Sequence, residues 1–557
     1  MSYRRIAASA AVLAAGVSLA TLAPGAAQAA GPAGGKPKPH GVTVPDTAPK
    51  VKPETTTFNS PANRSVKQAP AAGKGAAPAT AETAATDIEV GLQAFTTSAH
   101  GMELDTVTTG TTNPVSISVE WGDGAVSNES GTGGQTTTSA HQYGKPGGYT
   151  VKVTVKDQVT QATAVNQVAV WTRGSHYTPY GPTRLLDTRN GTGTAQGKTP
   201  AYGVTRLKIA GNGGIPEGVT SVALNVTVTN ATSGGHVTAY ADGSERPTTS
   251  NVNFAPGQTV PNLVIVPVGR NGYVDLYNGG WESVDLIADV TGYFTKSASS
   301  GYTPLTPQRL VDTRNGTGTA RGQVKGYGTF TTQVAGTGWV APGATAVALN
   351  VTVTNPKSDG HLTVYPSGQQ APTASNLNFT TGQTVANSVI VPVGPDGRIT
   401  VRNGAWNPTD VIVDVVGYYS PDSANAYVPV KPSRLLDTRD GSQWKWGPLE
   451  GRGYIYMPLA DGLPHTKGFV LNSTVTNTKD SGYLAVTPDP NSLSDYDNGS
   501  DVWPPTPTSS TLNWTWNKTV PNLVQAASGP SGIIDFWNQS DGDIDLVVDI
   551  FGVYQDN

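Results

Sequence analysis

Cysteine is absent from this sequence, which excludes disulfide frameworks, thiolate metal sites and cysteine nucleophiles. Charged side chains are scarce, 14% of residues, against about 25% in an average soluble protein. The formal net charge is −4 and no basic block stands out, so the phosphate neutralisation that nucleic-acid binding requires has no basis. Apart from a short apolar stretch near the start, no run reaches membrane length, and no segment keeps the apolar period of roughly 3.6 that marks a helix. What is abundant is glycine and proline. The 66 Gly and 42 Pro make up about a fifth of the 557 residues, where average usage gives about 12%. Both are poor residues for helix interiors, which argues against a helix-rich enzyme. The length admits three or four domains, each large enough for its own core.

The first residues read as an export signal. Arg4 and Arg5, the small apolar stretch Ile6 to Ala23 and then Ala27-Gln28-Ala29 follow the order of a secretory signal peptide over residues 1–29. Sec and twin-arginine export both stay open. Cleavage takes the formal charge from −4 to −6. The expected product is secreted, extracellular or held non-covalently at the cell surface, with no membrane span. Residues 30–86 are mainly Ala, Pro, Gly, Lys and Thr and are expected to form a disordered linker, because they cannot bury enough apolar surface to offset their ordering entropy.

From Asp87 to Thr172 the pattern alternates. Val115, Ile117, Val119 and Trp121 occupy every second position, and Val151, Val153 and Val155 repeat the arrangement after Pro146-Gly147-Gly148, as half-buried strands require. Trp121-Gly122-Asp123-Gly124, followed by His141-Gln142-Tyr143 and Pro146-Gly147-Gly148-Tyr149-Thr150-Val151, resembles the polycystic kidney disease (PKD) domain. The resemblance implies a small immunoglobulin-like β-sandwich over residues 87–172 that serves as a non-catalytic accessory module. Trp121 and Tyr149 are expected to pack that sandwich.

Three long repeats fill the remainder. Arg184-Leu185-Leu186-Asp187-Thr188-Arg189 returns as Arg309 to Arg314 and again as Arg434 to Arg439, each 125 residues after the last. Leu224-Asn225-Val226-Thr227-Val228-Thr229-Asn230 recurs at Leu349 to Asn355 and, more loosely, at Leu471 to Asn477. Gln258-Thr259-Val260-Pro261-Asn262 recurs at Gln383 to Asn387 and Lys518 to Asn522. Each repeat closes on an aspartate-spaced strand ending in Gly292, Gly417 or Gly552. A period this long fits one independent domain rather than a solenoid repeat or propeller blade. The expected fold class is all-β: the PKD-type sandwich plus three homologous β-sandwich or jelly-roll modules at 176–296, 301–420 and 426–557, the last diverged and Trp-rich. A β-barrel is the alternative. The run Leu263-Val264-Ile265-Val266 predicts a strand covered on both faces. Four separate cores are expected to stabilise the chain without disulfides. How they pack together stays open. The units also resemble the Arg-Leu-Leu-Asp-Thr-Arg repeat modules of secreted actinobacterial proteins, a resemblance that implies no activity.

The repeated polar residues predict a structural ion-pair network. Its members are Arg184, Asp187, Arg189 and Asp289 in the first unit, Arg309, Asp312, Arg314 and Asp414 in the second, and Arg434, Asp437, Arg439 and Asp549 in the third. Calcium is the alternative ligand for these carboxylates, disfavoured by the arginines beside them; no other cofactor is expected. His236 and His361 occupy equivalent positions, with Tyr483 in the third unit, and neither Gly-x-Ser-x-Gly nor His-Glu-x-x-His occurs. No catalytic residue is assigned, and a hydrolase with an unrecognised site remains the weakest alternative. Aromatics in Gly-rich loops are the better lead. Trp281 and Trp406 are equivalent, and Trp444, Trp446 and Trp503 lie in diverged loops of the third unit. Such side chains can stack on sugar rings. The expected function is non-catalytic binding or adhesion to a cell-wall or environmental polysaccharide. The alternative is a scaffold for protein partners.

Overall fold

The computed structural model describes residues 51, 53–61, 88–298, 300–440, 447–460, 463 and 465–556. The expected signal segment, most of the expected linker, and Trp444 and Trp446 lie outside them. Among the described residues the strands form eight four-stranded antiparallel sheets, with one short helix, α1 (Leu493–Asn498). The protein is all-β, a series of two-sheet sandwiches.

The first module comprises β1 (Thr57–Asn59), β2 (Glu89–Thr96), β3 (Gly101–Thr109), β4 (Pro114–Glu120), β5 (Val126–Thr132), β6 (Thr136–Gln142), β7 (Gly148–Asp157) and β8 (Thr163–Trp171). Sheets β1-β2-β3-β6 and β5-β4-β7-β8 enclose Leu92, Leu104, Ile117, Val119, Val153 and Val168. Trp121 is fully buried, donates from Nε1 to Ser127 Oγ at 2.9 Å and stacks on His141. The Tyr143 and Tyr149 rings stack at 3.9 Å. Strand β1 corrects the expectation of a wholly disordered linker. Thr57–Asn59 pairs with β2, placing Phe58 against the module's core, and Val51 is buried against the third repeat. Two apolar side chains and a free sheet edge suffice to order this stretch.

The first repeat contains β9 (His176–Asp187), β10 (Val204–Lys208), β11 (Ser221–Thr229), β12 (Gly235–Ala241), β13 (Val252–Phe254), β14 (Val260–Pro267), β15 (Tyr273–Asn278) and β16 (Asp285–Thr295). Its sheets run β14-β11-β16-β9 and β10-β15-β12-β13. That is the jelly-roll order, in which the first and last strands are neighbours and each sheet mixes both Greek keys. The second repeat has the same order in β17–β24, from Gly301–Asp312 to Asp410–Ser420, and the third in β25–β32, from Ala426–Asp437 to Asp545–Gln555.

The three repeats are not separate beads. Every residue of β11 is buried: Val222, Leu224, Val226 and Val228 face the unit's own core, while Ala223 belongs to another cluster. That cluster gathers Leu263 and Ile265 from the first unit, Ala348, Ile390 and Tyr419 from the second, and Val470, Leu523 and Tyr554 from the third. It corrects the expectation of four independent cores: a fifth core lies where the three jelly rolls meet. It also explains the run Leu263 to Val266, whose alternate residues serve the unit core and the shared core.

Asparagines of the repeated motifs close this arrangement into a ring. Asn262 Nδ2 donates to Asn472 Oδ1 at 3.0 Å, Asn387 Nδ2 to Asn225 Oδ1 at 3.1 Å and Asn522 Nδ2 to Asn350 Oδ1 at 3.1 Å. The first unit thus reaches the third, the second reaches the first and the third reaches the second. A head-to-tail contact that closes after three copies is a pseudo-threefold ring, here within one chain. The repeated glycines belong to the same core. A Cβ on Gly292, Gly417 or Gly552 would collide with the ring of Tyr177, Tyr302 or Tyr427, so only glycine lets these tyrosines lie flat over the strand.

Strand direction defines two ends of this body. The first module docks at the end that holds His176 and Thr295: Gly174 N donates to Ala99 O at 2.8 Å, Arg173 Nη2 to Thr96 O at 2.7 Å, and Lys296 Nζ to Thr172 O. The loops after β9, β11, β13 and β15 all lie at the opposite end, because neighbouring strands are antiparallel throughout.

Candidate binding face

The repeated charges sit in a row across three strands. Asn225, Asp289 and Arg184 are register partners on β11, β16 and β9, so they share the face turned to the neighbouring unit. Arg184 forks onto Asp289 at 2.8 and 3.1 Å and reaches Asp187 at 3.1 Å, while Arg189 holds Asp187 at 2.9 and 2.7 Å. Arg309 and Arg314 repeat the pattern with Asp414 and Asp312, as Arg434 and Arg439 do with Asp549 and Asp437. All six carboxylates are buried. The Arg189 fork holds the Asp187 carboxyl below its ordinary range, whereas burial raises Asp289 against the pull of Arg184. In the second unit Arg309 Nη2 turns to Thr508 O of the third unit, leaving Asp414 Oδ2 without a partner, and burial pushes Asp414 up to about 6. These networks tie each unit internally, and in the second unit Arg309 also ties it to its neighbour. Among the described residues no group of three or more His, Asp or Glu side chains is placed to hold a metal ion. His236 and His361 pack against Gly279 and Gly404 at the start of a strand, where burial lowers their pKa.

The exposed aromatics are arranged differently. Trp281 and Trp406 are 72% and 78% exposed. Each meets a tyrosine edge to face: Trp281 with Tyr202 at 5.7 Å, Trp406 with Tyr327 at 5.4 Å. A buried asparagine fixes each pair. Asn278 Nδ2 donates to Pro200 O and Glu282 O at 2.9 Å, and its Oδ1 accepts from Gly280 N, pinning the Tyr202 turn to the Trp281 loop. Asn403 does the same between Lys325 O and Asn407 O. Tyr202 and Tyr327 both have φ of 56°, in the left-handed region that L side chains enter rarely. The third unit keeps the frame and changes the chemistry: Asn538 pins the same turn, while Arg452, at φ 61°, pairs with Asp541 at 2.8 Å. Sequence reasoning missed Tyr202 and Tyr327, although their recurrence 125 residues apart between small residues was there to be read.

Trp503 sits at the rim of another cluster. It is 38% exposed and meets the Tyr454 ring edge-on at 5.4 Å, and Tyr454 stacks on Trp537 at 4.3 Å. Trp514 is core. Beneath this cluster lie two fully buried carboxyl groups, Asp489 and Asp535. Asp489 accepts from Asn491 N at 2.6 Å and from the Tyr496 hydroxyl. Burial and the adjacent Asp489 carboxylate push the Asp535 carboxyl up to about 10. A proton held when folded and released on unfolding makes stability fall as pH rises above the ordinary carboxylate range. Asp535→Asn fills the same space and removes the titration. Its melting temperature should exceed the parent's by a margin that widens from about pH 5 to about pH 9; thermal melts across that range check this.

No protein-family model and no curated protein matches the chain. Solved structures with partial similarity include a SusE-like protein, at 14% identity, covering 37% of this chain and 97% of that one with a TM-score of 0.12. Another is the N-terminal CBM22-1–CBM22-2 tandem domain of Xyn10C from Paenibacillus barcinonensis, at 14% identity, covering 44% of this chain and 99% of that one with a TM-score of 0.15.

Proposed function

We propose that this chain is a secreted, non-catalytic binding protein that adheres to a cell-wall or environmental polysaccharide through aromatic platforms on one end of the pseudo-threefold body. The observation that carries this reading is the pair of equivalent, exposed Trp–Tyr contacts, Trp281 with Tyr202 and Trp406 with Tyr327. Indole and phenol rings held at a fixed angle offer apolar faces and polar edges to a pyranose ring without further ordering cost. Two weak platforms on a rigid frame act together, so avidity replaces single-site strength. No helix among the described residues is long and apolar enough to cross a membrane.

The test is retention on insoluble glycans, namely cellulose, chitin and peptidoglycan sacculi. The parent protein is expected to bind at least one of them. Trp281→Ala with Trp406→Ala should lower apparent affinity by about 100-fold without changing the melting temperature, because both rings are largely solvent-exposed. Unchanged retention of the double variant would remove the platforms from the account.

A further inference from the structure

The end that carries the aromatic pairs also carries a recess of about 700 Å³. Its lining comes from the same segment of all three units, the turn and strand start at Gln258 to Pro261, Gln383 to Ala386 and Lys518 to Pro521. The recess therefore lies on the pseudo-threefold axis, above the asparagine ring that begins one residue further along each strand. Its volume falls in the range of ordinary ligand sites, roughly 300–1,000 Å³. It exists only because the three units close on one another.

Two kinds of surface alternate around it. Half-buried Val260, Val385 and Val520 present apolar faces. Gln258 and Gln383 use their amide oxygens to accept from Ala255 N and Thr380 N at 2.9 Å. Their Nε2 groups have no partner among the described residues and remain as donors. Lys518 and Asp359 are the charged lining residues, one of each sign. Such a lining has no net field to draw in a polyanion or a polycation. It suits a molecule that is apolar on its C–H faces, rich in hydroxyl groups at its edges, and uncharged. From these observations we infer that the axial recess binds the end of a neutral oligosaccharide chain. The aromatic platforms are one packing layer away: Gly235 and Gly280 abut Phe254, whose counterparts Phe379 and Trp514 line the recess.

This inference rests on the polysaccharide reading and adds a second, chemically distinct site to it. Soluble cello-, laminari-, chito- and xylohexaose, with hexagalacturonate as the anionic probe, are titrated calorimetrically into the full chain. One neutral hexaose should bind with one site per chain. Thr259→Trp with Thr519→Trp, both on the exposed rim, should weaken it at least tenfold in a protein that still melts in one cooperative transition, lowered only by the lost hydrogen bonds to Thr229 and Thr476, whereas Trp281→Ala with Trp406→Ala should leave it within twofold. Hexagalacturonate binding in place of the neutral sugars overturns the inference, as does hexaose binding that survives the two rim tryptophans. If the parent is retained on insoluble glycan through Trp281 and Trp406 but no hexaose binds, the recess fails and the platforms stand. If hexaose binding is sensitive to the rim variants while the Trp281 and Trp406 variants keep full retention, the platforms fail and the recess stands.

Discussion

Replacing Tyr419 with alanine is expected to destabilise the protein by about 4 kcal/mol and to separate the unfolding of the three repeats. Tyr419 is the hub of the shared core. Its ring lies 4.1 Å from that of Tyr177 in the first unit and 4.9 Å from that of Tyr302 in its own. Its hydroxyl meets that of Tyr554 in the third unit at 2.6 Å, and both hydroxyls reach Gln525 Oε1 at 2.8 Å. Truncation removes a large buried side chain and takes one partner from the buried Tyr554 hydroxyl. Because the lost contacts cross between units, scanning calorimetry should show the repeats' common transition broadening or splitting. Tyr419→Phe keeps the packing and should cost only about 1–2 kcal/mol, with the transition still single. A loss below about 1 kcal/mol for the alanine variant would mean that the repeats hold together some other way.

Arg184→Met should be nearly as damaging, by about 3 kcal/mol, and its cost should depend on pH. Arg184 forks both oxygens of Asp289, a residue with almost no exposure. Burial already raises the Asp289 carboxyl despite Arg184, and losing the guanidinium raises it further. A carboxyl that keeps its proton on folding contributes stability at low pH and loses it as pH rises. The variant's deficit should therefore be small near about pH 4 and full by about pH 8. Adding Asp289→Asn removes the stranded charge and should recover much of the alkaline loss. Urea unfolding at the two pH values checks both statements.

The partners in that network were legible in the sequence, because the Arg and Asp residues recur in fixed register and a buried charge needs an opposite one. One two-sheet sandwich's worth of strands per unit could likewise be read from alternation and turn chemistry. The shared core was half legible. Leu263 to Val266 announced a strand covered on both faces, yet nothing local says that the second cover is two other copies of the same unit. Asn225, Asn350 and Asn472 occupy polar slots in alternating strands, where solvent is the natural expectation. Their burial is a property of three chain segments distant in sequence. The same limit hid the axial recess, which no single unit contains. Tyr202 and Tyr327 are different: their recurrence 125 residues apart was legible, but their pairing with a tryptophan from a loop about 80 residues away was not.

Everything proposed for the binding end depends on three jelly rolls closing around one axis. Small-angle X-ray scattering of residues 175–556 measures that directly. A closed body of this length should give a radius of gyration near ~21 Å with a single compact distance distribution. A value well above ~30 Å, with an extended tail as from domains strung in a row, would contradict the account.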